Sequence, residues 1–216
     1  MNLNQQQTAY LSDTYNRMEQ KFHAECHRMN GRIPYISIDG AYPTWDESMI
    51  NWWTNGFWGG IMWQLYHAEN SSDYMSEANC LENHLEKAFE HFDLLDHDVG
   101  FLWLHTAVAH YRLTGDPTAR QRGLRAAAVL ASRYCPAGEY IRAWNRPGLS
   151  QMIIDCVMNL PLLFWAASEG AGDHYRQIAI HHLDRVLTHI IREDGSCNHI
   201  VEFDEATGEV LNIPGG

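Results

Sequence analysis

The sequence predicts an all-α protein, an α/α toroid assembled from helical hairpins. Three observations carry that prediction. Apolar residues recur at three- and four-residue spacing through most of the 216 residues. Dense apolar segments alternate with amphipathic ones, and a short polar joint separates the members of each pair. A helix that is apolar all round belongs inside a protein and one with a charged face belongs outside. The alternation therefore reads as inner helices backed by outer ones. A helical solenoid is the competing architecture, but its repeats should be more uniform and its inner helices more polar.

Taken in order, residues 8–29 set Tyr10, Leu11, Tyr15, Met18, Phe22 and Cys26 at helical spacing, and Asn30-Gly31 supplies a left-handed stop. Residues 32–46, with Pro34, Gly40 and Pro43, read as loop. Three hairpins follow: 53–67 with 74–92, 101–113 with 119–134, and 151–167 with 175–191. Their joints are Asn70-Ser71-Ser72-Asp73, Thr114-Gly115-Asp116-Pro117 and Gly170-Ala171-Gly172-Asp173. Each joint Asp is a natural N-cap, and Pro117 suits a first helical position. The outer helices carry charged faces, such as Glu82, Glu86, Lys87 and Glu90, or Arg120, Arg122 and Arg125. Past Arg192-Glu193-Asp194-Gly195 the pattern loosens into alternation and meets a Thr207-Gly208 turn, which predicts a short hairpin. About seven helices and a hairpin make one domain, 1–216, expected to be a toroid cut before its C-terminal helices.

Composition narrows the function. A net charge of −12 disfavours nucleic acid and anionic membrane surfaces as partners. No apolar run reaches the roughly 18 residues of a membrane span, and the N-terminal segment lacks the basic and apolar regions of a signal peptide. Five cysteines, Cys26, Cys80, Cys135, Cys156 and Cys197, are odd in number and carry no C-x-x-C spacing, so reduced thiols and a cytoplasmic location are expected. Without an H-E-x-x-H or another ligand pattern, neither metal nor cofactor is expected. Eight Trp and ten Tyr suit either a heavy core or stacking on sugar faces.

The candidate chemistry centres on Asp155, a carboxylate within the apolar run Ile153-Ile154-Asp155-Cys156-Val157-Met158. Burial disfavours the ionised form, and a carboxyl that keeps its proton near neutral pH can serve as a general acid. A satisfied buried Asp is the structural alternative. In a toroid the inner-helix N-termini share one face, which gathers Trp52, Trp53 and Asn55, then His97 and Asp98, then Asp155. Asp98 also reads as an ordinary N-cap. Trp144 precedes the third inner helix with Arg142 and Arg146 beside it, a stacking ring with a partner for a carboxylate. Among thirteen histidines, His199 is set apart by its place on the segment after the helices.

Four segments of the sequence carry a family resemblance. They are Trp53-Thr54-Asn55-Gly56-Phe57-Trp58-Gly59-Gly60, His97-Asp98-Val99-Gly100-Phe101, Ile153-Ile154-Asp155-Cys156-Val157-Met158-Asn159-Leu160-Pro161, and Arg192-Glu193-Asp194-Gly195-Ser196 with His199. In this order, over about residues 35–216, the chain resembles the N-terminal part of the unsaturated glucuronyl hydrolases of glycoside hydrolase family 88. The resemblance implies an (α/α)6 barrel and an enzyme that removes a 4,5-unsaturated uronic acid from lyase-generated oligosaccharides by hydrating the C4–C5 vinyl ether bond. It implies Asp155 as general acid and base and Asp98 as a second catalytic residue, with Trp53, Trp144 and His199 around the sugar. The family continues past Pro214-Gly215-Gly216 with segments this chain lacks, so an incomplete barrel that self-associates through exposed inner helices is expected. Unsaturated rhamnogalacturonyl hydrolases share the fold and chemistry and stand as an alternative. A non-catalytic sugar-binding half-toroid is another.

Overall fold

A computed structural model of the chain describes residues 3–42 and 49–214. Pro43, Asp46, Gly215 and Gly216 lie outside the described residues. Helix α1, Gln5–Met29, starts on a reciprocal capping box between Asn4 and Gln7 and ends at Asn30 in the left-handed conformation. The inner layer consists of α2 (Asn55–Glu69), α4 (Val99–Trp103) running through a π turn at Leu104–Val108 into α5 (Ala109–Thr114), and α7 (Leu160–Ser168). The outer layer consists of α3 (Ser72–Leu85), prolonged by a 3-10 stretch to Leu94, α6 (Pro117–Ser132), and α8 (His174–Arg185), prolonged by a π turn to Ile190. Each inner helix packs on the outer helix that follows it, and neighbouring inner helices touch side by side. The arrangement is a two-layer α/α arc.

Glycine sets how closely the inner helices approach. A Cβ at Gly56 would lie 2.8 Å from the Leu102 Cα, and one at Gly100 would lie 2.7 Å from the Asn159 Cα. These contacts draw the starts of α2, α4 and α7 together, because only a residue without a side chain allows backbone against backbone there. Behind them lies a core of Leu81, Leu102, Trp103, Leu130, Leu160 and Leu163, each almost fully buried.

Two carboxylates of the outer layer are buried, and one of them, Glu82, departs from the expected solvent-facing stripe. Glu82 is 1% exposed and accepts from Trp63 Nε1 at 2.8 Å, with His110 Nδ1 at 3.1 Å and Arg122 Nη1 at 3.3 Å. Glu77 is likewise buried and accepts from Trp58 Nε1 at 3.0 Å and from the Gly31 amide at 2.8 Å. Buried charge is tolerated when donors saturate it, and here the indole N–H groups of the inner helix supply those donors. Aromatic richness in α2 thus fills the core and also satisfies these two carboxylates.

Of the three joint aspartates, only Asp116 caps as expected, its Oδ1 accepting from the Ala119 amide at 2.8 Å. Ser71 caps α3, leaving Asp73 in the first turn. The Asp173 carboxylate turns to Arg176 and Gln177 instead.

The largest correction concerns the third inner helix. The sequence pattern predicts helix over 151–167, but Ser150–Ile153 is a strand, β3, followed by a 3-10 turn at Ile154–Met158, and α7 begins only at Leu160. β3 pairs antiparallel with β4 (Ile200–Phe203), which pairs with β5 (Val210–Asn212) around the predicted turn. Strands β1 (Tyr134–Cys135) and β2 (Tyr140–Ile141) form a second, two-stranded pair. A short apolar run does not by itself distinguish strand from buried helix. Met152 and Ile153 suit the strand because both side chains are buried, and Met152 shares a core cluster with Val201 and Phe203 of β4.

Candidate active site

His97, Asp98 and Asp155 meet where α4 and the 3-10 turn come together. His97 is 1% exposed. Its Nδ1 lies 2.8 Å from the Ala143 carbonyl oxygen. A carbonyl can only accept, so Nδ1 carries a proton and donates it. Its Nε2 then faces Asp155 Oδ1 at 3.2 Å and Asp98 Oδ1 at 3.3 Å. For Nε2 to be attracted to two carboxylates, one further proton must sit on Nε2 or on a carboxylate. The three groups therefore share a proton.

The electrostatics agree with that count. Burial raises the Asp98 carboxyl to about 6, against the opposing pull of His97, and the charges of Asp96 and Asp155 add to the rise. For His97, burial acts to lower the pKa, but the hydrogen bond to Asp155 and the charges of Asp98, Asp96 and Asp155 outweigh it and leave it raised.

The cluster is held from behind. The Ala143 carbonyl accepts from the His97 amide at 3.1 Å and from Arg133 Nη2 at 3.1 Å, in addition to His97 Nδ1. Arg133 is itself buried and also donates to the carbonyls of Arg142 and Leu95 and to Asn145 Oδ1. Across the cluster, Asn159 accepts from the Phe101 amide at 2.9 Å and approaches Asp98 Oδ1 through Nδ2 at 3.5 Å. The first turn of α4 is thus satisfied by a side chain from the start of α7.

Asp98 stands at the N-cap position of α4, yet its carboxylate makes no capping bond. It turns toward His97 and Asn159, so the capping reading of this residue does not hold. Asp155 also differs from expectation. It lies in the 3-10 turn, not inside a helix, and its side chain is 45% exposed. The apolar neighbours that seemed to bury it point elsewhere: Cys156 is fully buried while Met158 is exposed. Asp155 opens outward with its inner oxygen on His97.

Aromatic rings bound the cluster. Trp144 meets the His97 ring edge-on at 5.8 Å, and the Arg146 guanidinium lies 4.4 Å over the Trp144 ring. Arg142 is paired with Glu205 at 3.1 Å, which leaves Arg146 as the cation beside Trp144. Trp53 is partly exposed and packs on Phe57 and on Phe101, each at 5.7 Å. Trp52 stands beside Trp53, whereas the Asn55 amide is turned back to the carbonyls of Met49 and Ile50. His199 is exposed, and its carbonyl accepts from the Ile154 amide at 3.1 Å, setting it alongside the residue before Asp155. Phe57 and His105 also line a groove of about 870 Å³ along the inner-helix face.

No family model matches the chain. It is 36% identical over 176 residues to an unsaturated chondroitin disaccharide hydrolase of Streptococcus pyogenes serotype M1, covering 79% of this chain and 43% of that protein. It is 34% identical over 191 residues to an unsaturated glucuronyl hydrolase of Bacillus sp. strain GL1, covering 85% of this chain and 50% of that protein. The crystal structure of the Bacillus sp. GL1 unsaturated glucuronyl hydrolase superposes with a TM-score of 0.82 at 30% identity, over 90% of this chain and 52% of that one. The chain is a relative of the unsaturated glucuronyl hydrolases. The fold is the α/α-barrel type of those hydrolases, and the chain spans about half the length of the curated relatives it matches.

Asn159, Gly100 and His97 all fall inside the quoted motifs, although the sequence reading singled out only His97 among them, as a neighbour of Asp98. Arg133 falls outside every motif. The one hint in the sequence is its place directly after an outer helix, and nothing local marks it as the residue that secures the Ala143 carbonyl.

Proposed function

We propose that the protein to which this chain contributes an α/α domain removes the 4,5-unsaturated glucuronic acid from the non-reducing end of lyase-generated oligosaccharides. The step is hydration of the C4–C5 vinyl ether bond. Asp155 donates a proton to C4 and, as the carboxylate so formed, takes a proton from the water that attacks C5. The resulting hemiketal opens and releases the rest of the sugar. Asp98 is the second catalytic residue and holds ring hydroxyls, while Trp53, Trp144 and His199 line the sugar.

The observation that carries this reading is the convergence of Asp155 and Asp98 on one imidazole nitrogen. His97 is fixed by the Ala143 carbonyl so that Nε2 reaches Asp155 and Asp98 at once, and a proton held there is available at the outward-facing carboxyl. Protonation of an alkene carbon needs such a donor and no second nucleophilic carboxylate, unlike ordinary glycoside hydrolysis. The relatives support the substrate class. One solved neighbour, 26% identical with a TM-score of 0.66, is an Asp-to-Asn variant of a Streptococcus agalactiae unsaturated glucuronyl hydrolase complexed with dGlcA-GalNAc6S. The glucuronyl and chondroitin names of the relatives favour this reading over the rhamnogalacturonyl one.

The test is incubation of the protein with unsaturated chondroitin or hyaluronan disaccharide, following loss of ultraviolet absorbance from the double bond. Persistence of that absorbance with the complete reading frame refutes the hydrolase assignment. No helix among the described residues is long and apolar enough to cross a membrane; we place the protein in the cytoplasm, in keeping with five unpaired cysteines. Ile61, Leu104 and Leu113 line the apolar groove, and self-association through that face is expected to show as a concentration-dependent mass in sedimentation.

A further inference from the structure

Apart from the cluster around His97, two histidines of α1 converge on the start of α3. His23 and His27 are four residues apart, so they lie one above the other on one helix face. Their ring centroids are 4.7 Å apart. Asp73 Oδ2 lies 3.6 Å from His23 Nε2 and 3.8 Å from His27 Nε2. One ligand atom from each of the three residues falls within 4.8 Å of the other two.

We propose that His23, His27 and Asp73 form a site for a borderline divalent transition-metal ion, Zn²⁺ foremost, that clips α1 to the first turn of α3. Ligand atoms on a tetrahedral Zn²⁺ with bonds near 2.1 Å are separated by about 3.4 Å, so the two His–Asp distances need to close by only a few tenths of an ångström, and a turn of the exposed imidazoles brings the two histidine nitrogens together. Two imidazoles and a carboxylate suit Zn²⁺, Ni²⁺, Co²⁺ or Cu²⁺, while the hard ions Mg²⁺ and Ca²⁺ prefer all-oxygen sets. All three side chains are partly exposed, His23 at 44%, His27 at 61% and Asp73 at 48%, which leaves water free to complete the coordination.

The surroundings favour a fixed geometry. The His23 ring stands edge-on to Tyr74, whose hydroxyl donates to Glu19 at 2.5 Å. Cys26 lies between the two histidines in sequence, but its side chain is buried, its thiol donates to the Asp73 carbonyl oxygen at 3.7 Å, and it falls outside the group of converging ligand atoms. A clip is also useful here. Cys26 and Met29 are the buried residues of α1, while Tyr10, Leu11 and Met18 are exposed along it. A metal shared with α3 would add a tie at that buried end.

The experiment is calorimetric titration of the chain with Zn²⁺ at neutral pH, wild type against the His23→Gln/His27→Gln double variant, with circular dichroism to establish that both are folded. One Zn²⁺ event in the wild type should weaken in the variant by more than the roughly 10–100-fold typical of losing an outer-shell partner. Zn²⁺ should also raise the wild-type melting temperature and leave the variant's unchanged. Co²⁺ should give the strong visible bands of low coordination number in the wild type alone. The other histidines contribute equally to both proteins, so an unchanged titration in the double variant, or equal Co²⁺ spectra, overturns the site.

Discussion

His97 and Asp155 are joined through a single imidazole nitrogen, Nε2, at 3.2 Å, and the opposite nitrogen of that ring is committed to the Ala143 carbonyl. The ring cannot turn without giving up that bond, so Asp155 has a proton-sharing partner of fixed tautomer. The same nitrogen serves Asp98 at 3.3 Å. The site is a three-group cluster, and its chemistry depends on where one proton rests.

Asp155→Asn should abolish turnover while leaving the fold intact. The side chain is 45% exposed, so its replacement disturbs little packing. Loss of a positioned acid or base costs roughly 10²–10⁴-fold in rate. Decay of the unsaturated-disaccharide absorbance measures it, and a residual rate within tenfold of wild type would remove Asp155 from the acid role.

Asp98→Asn should change how stability responds to pH. Burial raises the folded Asp98 to about 6, above the roughly 3.9 of an unfolded chain. A raised carboxyl contributes stability that is fully present below about pH 4 and is lost as pH rises through about 6. The Asn variant lacks that loss, so it should gain on wild type by about 2 kcal/mol between pH 4 and pH 7. Urea unfolding at both ends of the window tests this, and a pH-independent difference contradicts it.

How much of this was legible in the sequence divides by physical cause. Inner and outer layers were readable because apolar periodicity survives in α2, α4–α5 and α6. The third inner helix was misread because Met152, Ile153 and Ile154 continue its apolar run. Pro161, a residue suited to the first turn of a helix, was the local mark of where α7 begins. Residue type and neighbourhood single out Asp98 and Asp155, which the fold brings together at His97, but they do not give the orientation of Asp155. Exposure of that carboxyl depends on the 3-10 turn, which has no composition signature of its own. Arg133 was out of reach because its role arises from a carbonyl it meets only in the folded chain.

Asn159→Ala should destabilise the protein by roughly 1–3 kcal/mol, because it leaves the Phe101 amide in the first turn of α4 without its acceptor. Asn159→Asp separates the two roles of this side chain. It restores the acceptor but sets a second carboxyl beside Asp98 at a fully buried position, so stability should return at low pH, where that carboxyl is protonated, and the acid limb of the rate profile should shift upward. Equal stability for the Ala and Asp variants at low pH would mean that the amide contact carries no weight.

His182→Gln tests the opposite sign of pH dependence at a residue outside the hydrogen-bonded cluster. His182 is fully buried, and its Nδ1 accepts from the Ile141 amide at 3.0 Å. Burial, with a smaller contribution from His97, lowers its pKa to about 4. An unfolded chain takes up a proton near 6.5 that the folded chain refuses. His182 therefore contributes stability that is present above about pH 6.5 and is lost as pH falls toward 4. The span corresponds to about 3 kcal/mol as an upper figure. Gln does not titrate, so the variant begins less stable at neutral pH, having lost a well-packed imidazole, yet its stability should fall less steeply on acidification. Parallel wild-type and variant profiles between pH 4.5 and pH 7 would show that the buried imidazole is protonated without penalty. In that case the strap from α8 to β2 would not be what limits stability in acid.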